Sequence, residues 1–187
     1  MDTMSWVKNE SVIPGCLDLR PPVFSDIRGR LLKNFHEKDF LRLGLAARYP
    51  EEYFTRSFKG VIRGMHFQGP PSSHTKIVQC LEGDVIDVVL DLRRCSPAFG
   101  KLHCFHLNGE YPRFIYIPEG VAHGFCVLSD MALLFYRVTS LYNAKDDCGI
   151  LWDSFDMEWP VENPLLSERD RGFCRFINYE SPFLFSS

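Results

Sequence analysis

From about residue 53 to residue 140 the chain is a succession of short apolar runs cut by glycine, proline and aspartate, and this rhythm constrains the fold more than any other feature. Lys76-Ile-Val-Gln-Cys-Leu81, Val85-Ile-Asp-Val-Val-Leu-Asp-Leu92, residues 102–107, Phe114-Ile-Tyr-Ile117, residues 122–128 and residues 131–139 all have strand length and strand composition. Many short strands with Gly/Pro turns predict an all-β sandwich or barrel. Glu82-Gly83-Asp84 predicts a hairpin between the first two runs. In its second arm, alternation puts Val85, Asp87, Val89 and Asp91 on one face and Ile86, Val88, Leu90 and Leu92 on the other.

Around this block the pattern is sparser. Residues 1–22 read as an irregular arm with a short strand near Val12-Ile-Pro14, followed by strand, tight turn and strand from Val23 to Leu32. Phe40, Leu41, Leu43 and Leu45 predict a short helix over 37–47, and a second short helix is expected to begin near Ser167. No repeat, low-complexity tract or linker divides the chain. Residues 1–187 therefore read as one domain with a C-terminal tail over 171–187, long enough to bury a core.

Composition removes several functions. A net charge of −3 lacks the basic excess of a nucleic-acid binder, so any anion site must be local. No apolar run approaches the roughly 20 residues of a membrane span. The N-terminal ten residues are too polar for a signal peptide. Seven scattered cysteines with no C-x-x-C pair fit a reducing cytoplasm, where free thiols act as small hydrophobes.

Chemistry concentrates in Gly60-Val-Ile-Arg-Gly-Met-His66, with Lys76 ten residues on. An imidazole flanked by Met65 and Phe67 sits on a dry wall, where neighbouring charges act strongly. Arg63 offers a planar fork for phosphate and Lys76 a point charge for a developing oxyanion. Arg63 and His66 are three apart, which strict alternation would put on opposite faces. Gly64 is where a bulge would re-aim one of them. The plainer alternative is a surface arginine and a core histidine. Pro118-Glu-Gly-Val-Ala-His123 resembles the turn and histidine of the second cupin motif, but the H-x-H pair of the first is replaced by His66-Phe67-Gln68. The cupin metal set of three or four ligands is thus incomplete, and His103 and His106 diverge along a strand. Tyr136 is either a core tyrosine or a general acid. Ser167-x-x-Asp170 is a helix-start signature, and Asp170 also has the chemistry to orient His66.

Phe24-x-Asp-x-Arg-Gly29, the segment from Gly60 to Gln68, Lys76-Ile-Val, Asp87-x-x-x-Asp-Leu-Arg93, Ser96-Pro-x-Phe-Gly100, the segment from Ile117 to Phe125, Gly149-Ile-x-Trp152 and Pro164-Leu-Leu-Ser-Glu-Arg-Asp170 occur in order across 23–170. Together they resemble the RmlC-type nucleotide-sugar epimerases, typified by dTDP-4-dehydrorhamnose 3,5-epimerase. The resemblance implies a cupin-like jelly roll that uses no cofactor and no metal, working as a homodimer with exchanged N-terminal strands. It implies that His66 takes a proton from carbon beside a 4-keto group, with Asp170 as partner. Lys76 would stabilise the enolate, His123 would assist, and Tyr136 would return a proton from the opposite face. Arg63 would grip the diphosphate with Arg28, donated by the partner subunit, while Tyr142 would stack on the base. The expected product is a nucleotide 4-keto-6-deoxyhexose inverted at C3, C5 or both, in deoxysugar biosynthesis.

Two stretches depart from the family pattern. The family carries F-F-F-E where this chain has Arg30-Leu-Leu-Lys33, and Q-D-N-H-S where it has Glu51-Glu-Tyr-Phe-Thr55. Lys33 and Gln68 join the expected binding shell, and the reversed charge at Lys33 leaves dTDP, CDP and GDP sugars open. The alternatives are a mono-epimerase and a cupin-like sugar-binding module without catalysis.

Overall fold

A computed structural model describes residues 5–186; residues 1–4 of the expected arm and Ser187 of the tail lie outside the described residues. In chain order the elements are β1 (Val7–Glu10), β2 (Leu17–Arg20), β3 (Val23–Asp26), β4 (Gly29–Leu32), α1 (Glu37–Arg42), β5 (Glu51–Phe58), β6 (Ile62–Gln68), β7 (Lys76–Glu82) and β8 (Asp84–Asp91). They continue as β9 (Leu102–Asn108), β10 (Phe114–Ile117), β11 (Val121–Val127), β12 (Met131–Val138), β13 (Asp147–Gly149) and α2 (Glu168–Arg171). One sheet has the order β1-β2-β10-β7-β12-β5 and faces a second of order β13-β6-β11-β8-β9. From β5 to β12 the chain changes sheet at every connection except β8 to β9, which is the interleaving of a jelly roll. Among the described residues no helix is long and apolar enough to cross a membrane.

The expected hairpin between β7 and β8 is a correction. The two strands lie in different sheets, and β8 pairs with β9 and β11 instead. Gly83 (φ +84°) makes a corner between the sheets so close to the next turn that a Cβ there would lie 2.1 Å from Met131 O. The alternation in β8 explains why it is internal. Val85 and Val89 enter the core between the sheets, while Val88 and Leu90 enter a second core outside, so the strand is apolar on both faces.

That second core is covered by the chain after β13, where Ile150 and Phe183 pack with Met65, Phe67 and Leu92. The tail is tied down by Arg94 N–H to Phe183 O at 3.0 Å and Phe185 N–H to Arg94 O at 2.9 Å. A third cluster lies outside the first sheet, where Trp6 and Phe40 meet edge-to-face at 5.3 Å over Leu19, Ile77 and Phe114.

Two boundaries differ from expectation. Val12-Ile-Pro14 is a turn, with Ser11 Oγ accepting from Ile13 N–H and Ile13 fully buried between β1 and β2. Helix α1 stops at Arg42 because the chain reverses at Gly44, letting Leu45 N–H donate to Phe40 O at 2.9 Å and bury Leu45 beside Phe40. The hairpin β3–β4 forms a two-stranded sheet of its own, with Phe24, Ile27 and Leu31 exposed.

Candidate active site

A cavity of about 330 Å³ draws its walls from both sheets. Strand β6 delivers His66 and Arg63 to it, β7 Lys76, β11 His123, β12 Tyr136 and β5 the edge residues Glu51, Tyr53 and Thr55. The bulge anticipated at Gly64 is present. His123 pairs with His66 but Phe125 with Arg63, two steps on β11 against three on β6. Gly64 has φ +139°, and a Cβ on it would meet Gly124 Cα at 2.5 Å. The extra residue turns both Arg63 and His66 to the cavity.

The bulge also anchors the carboxylate. Asp170 Oδ2 accepts the Gly64 N–H at 3.1 Å, and Oδ1 accepts from His66 Nε2 at 2.9 Å. Ser167 caps α2, its Oγ accepting Asp170 N–H at 3.1 Å, so the helix-start serine and the histidine partner belong to one device. Burial pushes the Asp170 carboxyl up, but the bonds from His66, Gly64 and Ser167 outweigh it and hold it at about 2. It is therefore a carboxylate at neutral pH and accepts the hydrogen bond from Nε2–H, leaving the Nδ1 lone pair as the basic site of the ring. Burial pushes the His66 imidazole below its ordinary value against the pull of Asp170, so it rests neutral.

Lys76 is 6% exposed and donates from Nζ to His66 O at 2.9 Å. Burial lowers its ammonium to about 8, with Asp147 and Asp87 pulling the other way. It remains charged at neutral pH, in a dry place where a charge interacts strongly. Tyr136 is 4% exposed, and burial holds its phenol protonated, well above the ordinary range. Thr55 Oγ1 lies 3.5 Å from its hydroxyl.

Sequence reasoning missed several participants. Asp87 is fully buried and accepts from His123 Nε2 at 2.7 Å, making a second carboxylate–histidine pair beside the first. Its signal was present, because an acid on the inward face of a buried strand requires a partner. Ser57 Oγ accepts from Arg63 Nε at 2.9 Å and fixes the direction of the guanidinium. Arg169 lines the mouth and pairs with Asp147 at 2.6 Å, while Tyr142, expected there from the sequence, is more than half exposed and lies 3.4 Å from the same carboxylate. Tyr53 packs against Tyr136.

Three expected binding residues stand differently. Gln68 lines the cavity, but its Nε2 donates to Ser72 O at 2.8 Å and to Leu141 O at 3.2 Å, and its Oε1 accepts Asn143 N–H at 2.6 Å. This amide ties loops together and has little capacity left for a ligand. Arg28 lies on the β3–β4 hairpin, pairs with Asp26 and is not in the cavity wall of its own chain. Lys33 is exposed and also outside that wall. Among the described residues no group of three or more His, Cys, Asp and Glu is placed to hold a metal ion.

A neutral carboxylate-backed imidazole, a buried ammonium and a protonated phenol around one cavity of a cupin-like jelly roll are the group types that acid–base catalysis requires. Comparison with known proteins makes this specific. The family model for dTDP-4-dehydrorhamnose 3,5-epimerase matches residues 10–177. A dTDP-4-dehydrorhamnose 3,5-epimerase from Shigella flexneri is 42% identical over 178 residues, 94% of this chain and 97% of the relative. A dTDP-4-dehydrorhamnose 3-epimerase from Streptomyces niveus is 36% identical over 162 residues, 85% of this chain and 78% of its own. The crystal structure of dTDP-6-deoxy-D-glucose-3,5-epimerase RmlC from Legionella pneumophila, in complex with dTDP-4-keto-L-rhamnose, matches with a TM-score of 0.90 at 32% identity, covering 97% of this chain and 100% of that one. This chain belongs to the dTDP-4-dehydrorhamnose 3,5-epimerase family, and it is a nucleotide-sugar epimerase of deoxysugar biosynthesis.

Proposed function

We propose that the cavity binds a dTDP-linked 4-keto-6-deoxyhexose and inverts its C3 and C5 centres in turn. The observation that carries this is the 2.9 Å contact between His66 Nε2 and Asp170 Oδ1, at the wall of a cavity that also holds buried Lys76. His66 Nδ1 takes the hydrogen on carbon beside the ketone as a proton. The C–H electron pair becomes the enolate double bond, and the former carbonyl pair moves onto oxygen. One Lys76 N–H is held by His66 O, which aims the ammonium and leaves its remaining donors for that oxygen. Tyr136 then gives its phenolic proton to the same carbon from the opposite face, the oxygen charge collapses back to the ketone, and solvent restores the phenol and removes the proton from His66. The ketone supplies the electron sink. His123, fixed by Asp87, assists beside the acid.

Arg63 faces the diphosphate, and Tyr142 at the mouth faces the nucleobase. Arg28 reaches the cavity of a partner subunit in a cytoplasmic homodimer that exchanges N-terminal strands. The β3–β4 ribbon, a two-stranded sheet of its own with exposed Phe24, Ile27 and Leu31, supports that exchange, as does the free edge of β5. The seven cysteines are free thiols, which suits a cytoplasmic setting. The 36% identity to a 3-epimerase favours one second reading, inversion at C3 alone. Proton NMR of the dTDP-4-keto-6-deoxyhexose in deuterium oxide tests both. Label and inversion at both carbons are expected, label and inversion at C3 only would establish the second reading, and label at neither would overturn both.

A further inference from the structure

We propose that Tyr53 is a positioning residue for the proton-returning phenol, its ring stacked on Tyr136 so that the Tyr136 hydroxyl stays aimed at the reacting carbon. This rests on the reading of Tyr136 as the acid. The β5–β12 register places Tyr53 directly opposite Tyr136, and both line the cavity. Their rings lie 4.7 Å apart between centroids at an interplanar angle of 13°. His123 meets the Tyr136 ring edge-on, with centroids 6.1 Å apart at 69°, so the phenol is clasped between an imidazole edge and a flat phenyl face.

The hydroxyl needs that clasp. Its polar neighbour Thr55 Oγ1 lies at 3.5 Å, the outer limit of a hydrogen bond, and contributes little direction. A tyrosine hydroxyl lies on the Cβ–Cγ axis, so rotation of the ring about that axis leaves it in place, whereas rotation about the Cα–Cβ bond swings it by ångströms. A flat neighbour in contact with one face blocks that swing. Because β5 is the outermost strand of its sheet, Tyr53 is the last side chain on that flank, and removing it would open the Tyr136 face towards the mouth. Tyr53 stands at the third position of the stretch Glu51-Glu-Tyr-Phe-Thr55, where the family motif Q-D-N-H-S has a small amide. Burial, with Glu51 and Asp147 behind it, raises the Tyr53 phenol to about 12, so it stays protonated in the working range. Its part is played by the ring.

A proton returned late or from the wrong side leaves the carbon exchanged but not inverted. The quantity to read is therefore the ratio of inverted product to deuterium uptake, measured by NMR on the same substrate. Tyr53→Ala is expected to lower that ratio about fivefold to tenfold, while deuterium uptake, which depends on His66 and Lys76, stays within about twofold. Tyr53→Leu, which keeps bulk on the edge strand without a flat face, should lower the ratio as well. Tyr53→Phe keeps the stack and should retain the wild-type ratio. An unchanged ratio in Tyr53→Ala and Tyr53→Leu overturns the proposal, as does a parallel loss of uptake and inversion, or a Tyr53→Phe variant as damaged as Tyr53→Ala. Tyr136→Phe separates the layers. If it leaves the ratio unchanged, the acid reading itself fails. If it lowers the ratio while the Tyr53 variants do not, only the positioning role is lost.

Discussion

The floor of the cavity and its mouth are built in opposite ways. At the floor, His66, Asp170, Lys76, His123, Asp87 and Tyr136 come from five strands and one capped helical turn, and five of the six are at least nine-tenths buried. His66, Asp170, Lys76, His123 and Asp87 each make a hydrogen bond that fixes direction, whereas Tyr136 is held by ring contacts. At the mouth, Tyr142 is largely exposed, Arg28 sits on a detached hairpin and Lys33 points into solvent. The residues proposed for the chemistry all come from one chain's interior, whereas those proposed for recognition lie on surface elements. Reaction type is thus fixed by packing, and substrate choice by parts that change at little cost to the fold.

The largest effect should come from the floor. His66→Ala should reduce solvent-hydrogen exchange into substrate by about 10³-fold or more while thermal unfolding shows an intact fold, because a single base at a cavity wall is removed. A variant that exchanges within tenfold of wild type would place the base elsewhere.

Lys76→Met should lose about 10²–10³-fold in exchange, the loss expected for an oxyanion donor. The same substitution should raise stability. The ammonium at about 8 sits below its ordinary 10.5, so below pH 8 the folded state carries a desolvated charge that the unfolded state does not. That penalty is about 3 kcal/mol, less the cost of leaving the His66 carbonyl without its donor. The stability gain should shrink between pH 8 and 10.5 as the wild-type amine turns neutral in the folded chain, and be gone above it. Denaturant titration across that range measures it. Greater stability with full activity would break the floor–mouth contrast.

Turnover should follow a bell in pH. The acid limb belongs to His66 and falls below the ordinary histidine value of 6.5, because burial depresses the imidazole. The alkaline limb belongs to Lys76 and falls near 8. The Tyr136 phenol titrates too high to contribute. Lys76→Met should abolish the alkaline limb in the residual rate. At the mouth, Arg28→Ala should raise KM about tenfold, the worth of one charge-assisted hydrogen bond, with the saturated exchange rate nearly unchanged. A fall in kcat of the size seen at the floor would erase the distinction.

How much of this was legible in the sequence follows the same division. The strand rhythm foretold a β sandwich, the alternation in Val85–Leu92 sorted its residues onto two faces, and Gly64 foretold the bulge. His66, Lys76, Tyr136, His123 and Asp170 all reached the site region, because buried strands hold their side chains to a fixed parity. The misread hairpin at Gly83 has a clear cause: a tight turn looks alike in sequence whether the next strand stays in the sheet or crosses to the facing one. Asp87 was seen as an alternation partner and not as the anchor of His123, since that contact joins residues 36 apart in sequence. Gln68 reaches the cavity wall as expected, but its amide is engaged by Ser72, Leu141 and Asn143, contacts that the sequence around it does not reveal. Arg28 and Lys33 lie outside the cavity wall of their own chain, so neither the sequence nor a single chain brings them to the site.

The most direct test is deuterium uptake at the carbons flanking the ketone, compared between wild type and Asp170→Asn by NMR. Asparagine keeps the size of the side chain but no longer holds the Nε2 proton of His66 as a carboxylate does. Uptake should fall by about 10²–10⁴-fold with the fold unchanged. Uptake at the wild-type rate would contradict the claim that this carboxylate makes His66 the base.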